Sequence, residues 1–329
     1  MVLPPLYGPY GRAALDYVDR LAAAGANACW FHGFDPQAFD ACARHGLAAC
    51  VEFPTFRADF AAHPELVPIG VDGRPIRYGE LVQGVCLSQR AFLDGVEEAL
   101  LAGLAAYRPA GIWLDYLTYG GWFETPTPDL QESCFCRACI ADFCDSAGID
   151  AATPAQILAV AAEEWTTHKC RRIARFAAYY AGLVRSRLPG CVIGAYMCPW
   201  TPAEFDGALR RIFAQDYDLL APHIDVFTPL IYATKSGRTP EWARSFLEAA
   251  PGFVPHHRPV QLILDVLEFP ASLWSAAAAG RPSWGIQIFG GASIFADLAK
   301  AQIFGAAVAQ MQERWQEFTS SNRPEGSSV

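Results

Sequence analysis

Apolar and polar positions along this chain follow two alternating periods. Short runs rich in β-branched and aromatic residues recur between stretches whose apolar residues fall three and four apart, the pattern of a parallel sheet wrapped by helices. Eight strands are predicted, at Leu3–Tyr7, Ala28–His32, Ala48–Phe53, Gly111–Tyr116, Val192–Met197, Val226–Tyr232, Gln261–Leu267 and Gly285–Phe289. Helices read most clearly at Arg12–Ala24, Pro36–His45, Arg90–Ala106, Ala155–Arg187, Pro240–Ala249 and Asp297–Phe318. Over 329 residues, eight such units of about 41 residues predict an α/β fold, a (β/α)8 or TIM barrel.

No linker or shift of composition divides the chain, so residues 1–319 are expected to form a single domain, with a disordered tail at Ser320–Val329. The long inserts Pro54–Gln89 and Tyr119–Pro154 follow strands 3 and 4. Both would emerge at the C-terminal face, where barrels of this type build their active sites. Hydrophobic residues make up 52% of the chain and charged ones 18%, enough for a large core. The 25 Lys and Arg against 34 Asp and Glu leave a net charge of −9, which argues against a nucleic-acid partner. No apolar run reaches the roughly 18 residues of a membrane span, and the start MVLPPLYGPYGR has neither a basic end nor an apolar core of a signal. A soluble, cytoplasmic protein without a membrane partner is expected. The stretch Lys169-Cys170-Arg171-Arg172, on a predicted helix with Glu163 and Glu164, reads as a solvated face.

Eleven cysteines are more than such a protein needs for packing. In SCFCRACIADFC, the residues Cys134, Cys136 and Cys139 form a C-x-C-x-x-C arrangement on the insert after strand 4. Three thiolates so close can reach one tetrahedral ion, which needs a fourth ligand. Cys86, in GVCLSQR on the other insert, is the leading candidate because loops leaving neighbouring strands lie side by side, and Cys144 is the local alternative. A structural Zn2+ is the expectation, since four cysteines around zinc require no cluster assembly. Cys29, Cys42, Cys50, Cys170, Cys191 and Cys198 read as small core residues.

The succession Gly73–Tyr78 (GRPIRY), Gly84-Val85-Cys86, a helix, the strand Gly111-Ile112-Trp113-Leu114-Asp115 and then Cys-Phe-Cys-x-x-Cys resembles the family 42 bacterial β-galactosidases. It also resembles a looser set of glycosyl-hydrolase-like barrels with a G-I-x-x-D strand before such a cluster. The resemblance covers roughly Gly73 to Phe143 and implies a barrel, a carbohydrate substrate and a structural zinc site on Cys86, Cys134, Cys136 and Cys139. It leaves room for a homo-oligomer. Where those β-galactosidases end strand 4 in Asn-Glu, this chain has Leu114-Asp115-Tyr116-Leu117. The chitinase-like signature would place its middle Asp on Asp115 and its catalytic Glu on Leu117.

Glycoside hydrolysis generally needs two carboxyl groups flanking the bond, so acids at strand C-termini are the catalytic candidates. Asp115 leads, because an Asp closing an apolar strand is costly unless paired or used. Glu52 closes strand 3, and strand 7 offers Asp265 and Glu268, of which alternation lets at most one point inward. Glu124, in GGWFE after strand 4, is a further acid within reach of Asp115. Substrate-binding candidates are His32, Trp122, Tyr196, Trp200 and Tyr232, whose apolar faces and polar edges suit a polyol ring. Phosphate-loop, dinucleotide and serine-hydrolase motifs are absent. The expected function is a two-carboxylate glycoside hydrolase. An inactive carbohydrate-binding barrel and a zinc-thiolate-dependent transferase are the alternatives.

Overall fold

A computed structural model describes residues 4–76, 84–124, 128–255 and 258–321. Eight strands close a barrel in sequence order: β1 Leu6–Tyr10, β2 Ala28–His32, β3 Ala48–Pro54, β4 Gly111–Asp115, β5 Val192–Met197, β6 Val226–Ile231, β7 Leu262–Asp265 and β8 Gly285–Phe289. Every pairing is parallel, including the closing pair of β1 with β8. The expected (β/α)8 barrel is therefore the fold.

Departures from the predicted elements have local causes. Pro4 and Pro5 offer no N–H to a ladder, and β1 begins only at Leu6. β4 stops before Tyr116, whose φ of 53° lies in the left-handed region. β7 stops at Asp265 because its carboxylate accepts the Leu267 N–H and folds the chain into the 3-10 turn Val266–Glu268. The long helix expected over Ala155–Arg187 is two, Pro154–Val160 and Ala162–Arg187, broken at Ala161. The cysteine insert holds an unexpected helix, Arg137–Ala147, which ends on left-handed Gly148. The last helix, Leu298–Ser321, takes in Ser320 and Ser321 of the expected tail, whose remainder lies outside the described residues.

The bore of the barrel is filled by inward residues of alternate strand positions, among them Leu6, Trp30, Cys50, Trp113, Val192, Val226 and Ile263. Trp30 and Trp113 meet edge to face, with ring centroids 5.4 Å apart. Trp113 fits because glycines surround it: a Cβ on Gly194 would collide with its indole, as would one on Gly111. Above the indoles a buried polar chain crosses the bore. Trp113 Nε1 donates to Thr228 Oγ1 at 2.7 Å, Gln287 Nε2 to Gln261 Oε1 at 2.7 Å, and Tyr196 OH to Gln287 Oε1 at 2.6 Å. Thr228 Oγ1 joins the two parts through Gln261 Oε1 at 3.3 Å. A second, larger apolar layer lies between the strands and the helices. Among the described residues no helix is long and apolar enough to cross a membrane.

Gly194→Ala should lower stability in urea denaturation by about 1–3 kcal/mol, the usual cost of overpacking, because Trp113 is held by Thr228 and cannot retreat. Gly95→Ala, in the helix Arg90–Ala106 with open space at its Cβ, should instead stabilise by about 0.5–1 kcal/mol.

Candidate active site

Strand alternation brings Tyr10, His32, Glu52 and Asp115 to the C-terminal mouth on the inward side of β1 to β4. They line a cavity of about 440 Å³ with Arg57, Tyr116, Trp122, Glu124, Tyr196, Tyr232, Lys235 and Phe289. Glu52 is 4% exposed and is the hub. Its Oε2 accepts from Tyr10 OH, His32 Nδ1 lies 3.1 Å from both carboxylate oxygens, and the Asp115 carboxyl stands close enough for each acid to shift the other's pKa.

Two acids in contact hold one proton between them, and their surroundings decide where it sits. Burial pushes Asp115 well above the carboxylate range and the Glu52 charge adds to this, while the Tyr116 N–H, 2.9 Å from Oδ1, opposes. Burial would raise Glu52 as well, but hydrogen bonds from His32, Tyr10 and Asp115 overcome it, and its pKa falls. The hydrogen bond to Glu52 raises His32 in turn, against the effect of burial. The two carboxyls are thus driven apart, Glu52 toward the ionised form and Asp115 toward the protonated one. The start of the insert after β3 is pinned to this pair, because Thr55 N and Oγ1 both donate to the Asp115 carbonyl, at 2.9 and 2.7 Å.

On the opposite side, Lys235 Nζ lies 2.8 Å from Asp265 Oδ2, 4.7 Å from the Tyr232 ring centroid and 4.8 Å from that of Phe289. Asp265 does face the bore side of β7, yet it is 2% exposed and stands behind Lys235 rather than in the cavity wall. Glu268 is buried too, its Oε1 accepting the Thr234 N–H at 2.7 Å, and burial raises its pKa. Trp200 is 1% exposed beneath Phe205 and Phe213, so it offers no face to a ligand. Asp265, Glu268 and Trp200 are thereby corrected from cavity-lining to supporting positions. Glu124 does reach the cavity from the insert after β4, with its pKa raised by burial and by Asp265 and held down by Lys235. Leu117, the position of the chitinase-like Glu, is buried in the core.

Sequence reasoning missed Tyr10, Arg57 and Lys235. Tyr10 ends a strand whose predicted limits were three residues early, and it would have been found had the prolines delayed the strand. Arg57 and Lys235 sit on loops without a periodic signal. Cys198, read as core, also lines the cavity.

The four sulfurs of Cys86, Cys134, Cys136 and Cys139 converge within 4.8 Å of one another. Cys86 Sγ is 3.6 Å from Cys136 Sγ and 4.0 Å from Cys139 Sγ. Backbone N–H groups of Ile69 and Cys139 point at the sulfurs of Cys134 and Cys136, at 3.3 and 3.4 Å. Such a donor set could hold a metal ion and joins the insert after β3 to the insert after β4. Cys144 stands apart, its thiol donating to Ala151 O at 3.2 Å. Lys169 corrects the solvated-face reading: it is fully buried, with Nζ 3.0 Å from Glu132 and 2.6 Å from Arg211 O, and it anchors the cysteine insert to the helix Ala162–Arg187. Burial lowers its pKa against the pull of Glu132.

No protein-family model and no curated protein sequence matches this chain. Its fold is similar to that of the PgaB (BpsB) glycoside hydrolase domain from Bordetella bronchiseptica, with a TM-score of 0.71 at 12% identity over 93% of this chain and 99% of that one. It is similar also to a GH42 β-galactosidase from G. stearothermophilus, with a TM-score of 0.66 at 14% identity over 97% of this chain. A β-galactosidase from the haloarchaeon Halorubrum lacusprofundi gives 0.58 at 14% identity. The chain spans 58% and 59% of the lengths of these two β-galactosidases. The likeness to family 42 noted in one segment of the sequence thus extends, as fold, over the whole barrel.

An acid whose pKa is raised by folding binds its proton more tightly folded than unfolded. Stability then falls as pH rises from about 3.9, the ordinary Asp value, through the raised value, and the loss is complete above it. Asp115→Asn keeps a donor toward Glu52 and removes this cost. Its melting temperature at pH 7 should exceed that of the wild type by about 2 °C or more, with the gap closing near pH 3. Equal melting curves at both pH values would show that Asp115 is ionised in the fold.

Proposed function

We propose that this barrel is a glycoside hydrolase whose proton donor is Asp115, and that residues 1–319 form one catalytic domain. The observation that carries the reading is Asp115, its pKa pushed up by burial and by the Glu52 charge, standing beside Glu52, whose pKa is held down by His32 and Tyr10, in an aromatic-walled cavity at the C-terminal face. Similarity to the PgaB glycoside hydrolase domain over nearly the whole of both chains supports it at the level of fold. A carboxylic acid that keeps its proton near neutrality is what cleavage of a glycosidic oxygen requires of a general acid.

Glu52 adjoins Asp115 and is engaged by Tyr10 and His32, so in this reading it does not flank the bond from the other face. Its charge keeps the proton on Asp115 until a leaving oxygen competes for it, and Tyr10 and His32 hold that charge in place. Glu124, which approaches from the side of Lys235, is the second flanking carboxylate in this reading. It serves as nucleophile or as base for water according to its distance from the anomeric carbon. Tyr232 and Trp122 supply ring faces for the sugar.

In this reading the cysteine cluster would hold a structural Zn2+. Zinc–sulfur bonds of about 2.3 Å in a tetrahedron put sulfurs about 3.8 Å apart, which the pairs at 3.6 and 4.0 Å fit. None of the four cysteines lines the cavity, and four protein ligands leave no open position, so the reading gives zinc no part in the chemistry.

A panel of aryl glycosides should yield one that is hydrolysed, with a bell-shaped pH profile for kcat/KM. The alkaline limb belongs to Asp115, active when protonated, and the acid limb to the carboxylates that must be ionised. Asp115→Asn should lose the alkaline limb and about 10²–10⁴-fold in rate, with a much smaller loss on dinitrophenyl glycosides, whose leaving group needs no proton. Binding of glycosides without turnover of any would overturn the proposal. For the metal, elemental analysis should find one zinc per chain. Cys136→Ser should lose it and melt several degrees lower, whereas Cys144→Ser should retain it.

A further inference from the structure

The charges around the cavity are matched except in two places. Glu52 has His32, and Lys235 has Asp265. Glu124 is the acid already assigned to the chemistry. Arg57 remains: it lines the cavity, is exposed, and takes part in no ion pair among the described residues.

This guanidinium is also held in place. Thr55, two residues before it, is fastened to the Asp115 carbonyl by two hydrogen bonds. Phe56 is fully buried, 5.1 Å from Phe176 between ring centroids. The Arg57 guanidinium lies 5.5 Å from the centroid of the Tyr116 ring, and Tyr116 is itself tied to Asp115 by its N–H. A cation whose backbone neighbours are anchored and whose guanidinium rests over a ring costs less ordering when a ligand arrives than a free one would. Its planar fork suits a carboxylate or a sulfate, and a guanidinium sheds water more readily than an ammonium.

We propose that the substrate is a glycan bearing an anionic substituent, a uronate carboxylate or a sulfate ester, and that Arg57 receives this group next to the bond cleaved at Asp115. The inference rests on the glycosidase reading and adds the substrate class to it. The Arg57 charge pulls the Asp115 pKa down, yet no ion pair joins the two among the described residues, so the guanidinium fork stays open to a ligand. Glu124 is coupled to Lys235 and Asp265 on the other side.

The test pairs 4-nitrophenyl glycosides, of both anomers, of glucose, glucuronic acid and 6-sulfoglucose. One charged member should exceed its neutral counterpart in kcat/KM by about tenfold or more, as a charge-assisted hydrogen-bond pair implies. Arg57→Gln should collapse that ratio toward one, and Arg57→Lys should keep part of it. Preference for the uronide or for the sulfate ester names the source of the anion. A ratio unchanged in Arg57→Gln, or a preference for neutral sugars, overturns the inference while leaving hydrolysis standing. Calorimetric titration of glucuronate oligosaccharide into Asp115→Asn separates the other failure. Uronate binding that needs Arg57, with no turnover by the wild type, would sink the hydrolase reading and keep the anion site.

Discussion

The close packing of two indoles in the bore is the constraint on which the rest of the structure depends. Trp30 and Trp113 occupy a space that the barrel can offer only where Gly111 and Gly194 omit their side chains. Their volume closes the lower bore, and the chain from Trp113 through Thr228, Gln261 and Gln287 to Tyr196 seals it with satisfied polar groups. The cavity therefore begins at the level where Tyr10, Asp115 and Phe289 end their strands and Glu52 stands two residues before the end of β3. A rigid floor matters because a carboxyl pair keeps its proton only if water is excluded from beneath it.

Above that floor the two sides of the mouth handle charge differently. On the side of β3 and β4, two neighbouring acids drive each other's pKa apart. On the side of β6 and β7, Asp265 is neutralised by Lys235 between two aromatic rings. The first arrangement costs folding free energy and the second offsets part of its own desolvation. The left-handed Tyr116, one residue beyond Asp115, belongs to the same side.

Much of this was legible in the sequence because barrel strands announce themselves by apolar runs, and their last inward residue is then a site candidate by position alone. Glu52 and Asp115 were found that way, and the alternation argument separated Asp265 from Glu268. It did not reveal that Lys235, arriving from a loop, would cover Asp265. Trp200 failed for a related reason: an aromatic near a strand end can turn toward the helices, and only tertiary packing against Phe205 and Phe213 decides. The helix Arg137–Ala147 was hidden because Cys139 and Cys144, which share its buried side with Ile140 and Phe143, read as metal ligands on a loop rather than as apolar positions of a helix. Lys169 was misread because charge on a helix predicts solvent unless a partner such as Glu132 comes from far along the chain.

With an ion bound, the convergence of Cys86 with Cys134, Cys136 and Cys139 would fasten two inserts to each other by four side chains. Phe135 and Phe143 against Trp165, and Glu132 on Lys169, share that duty, which leaves the exposed positions of the inserts free of it. The rim can be rewritten residue by residue to greet different ligands while the bore beneath stays closed to change. In this barrel, inheritance would act on the two layers at different speeds, and the sulfur knot is the seam between them.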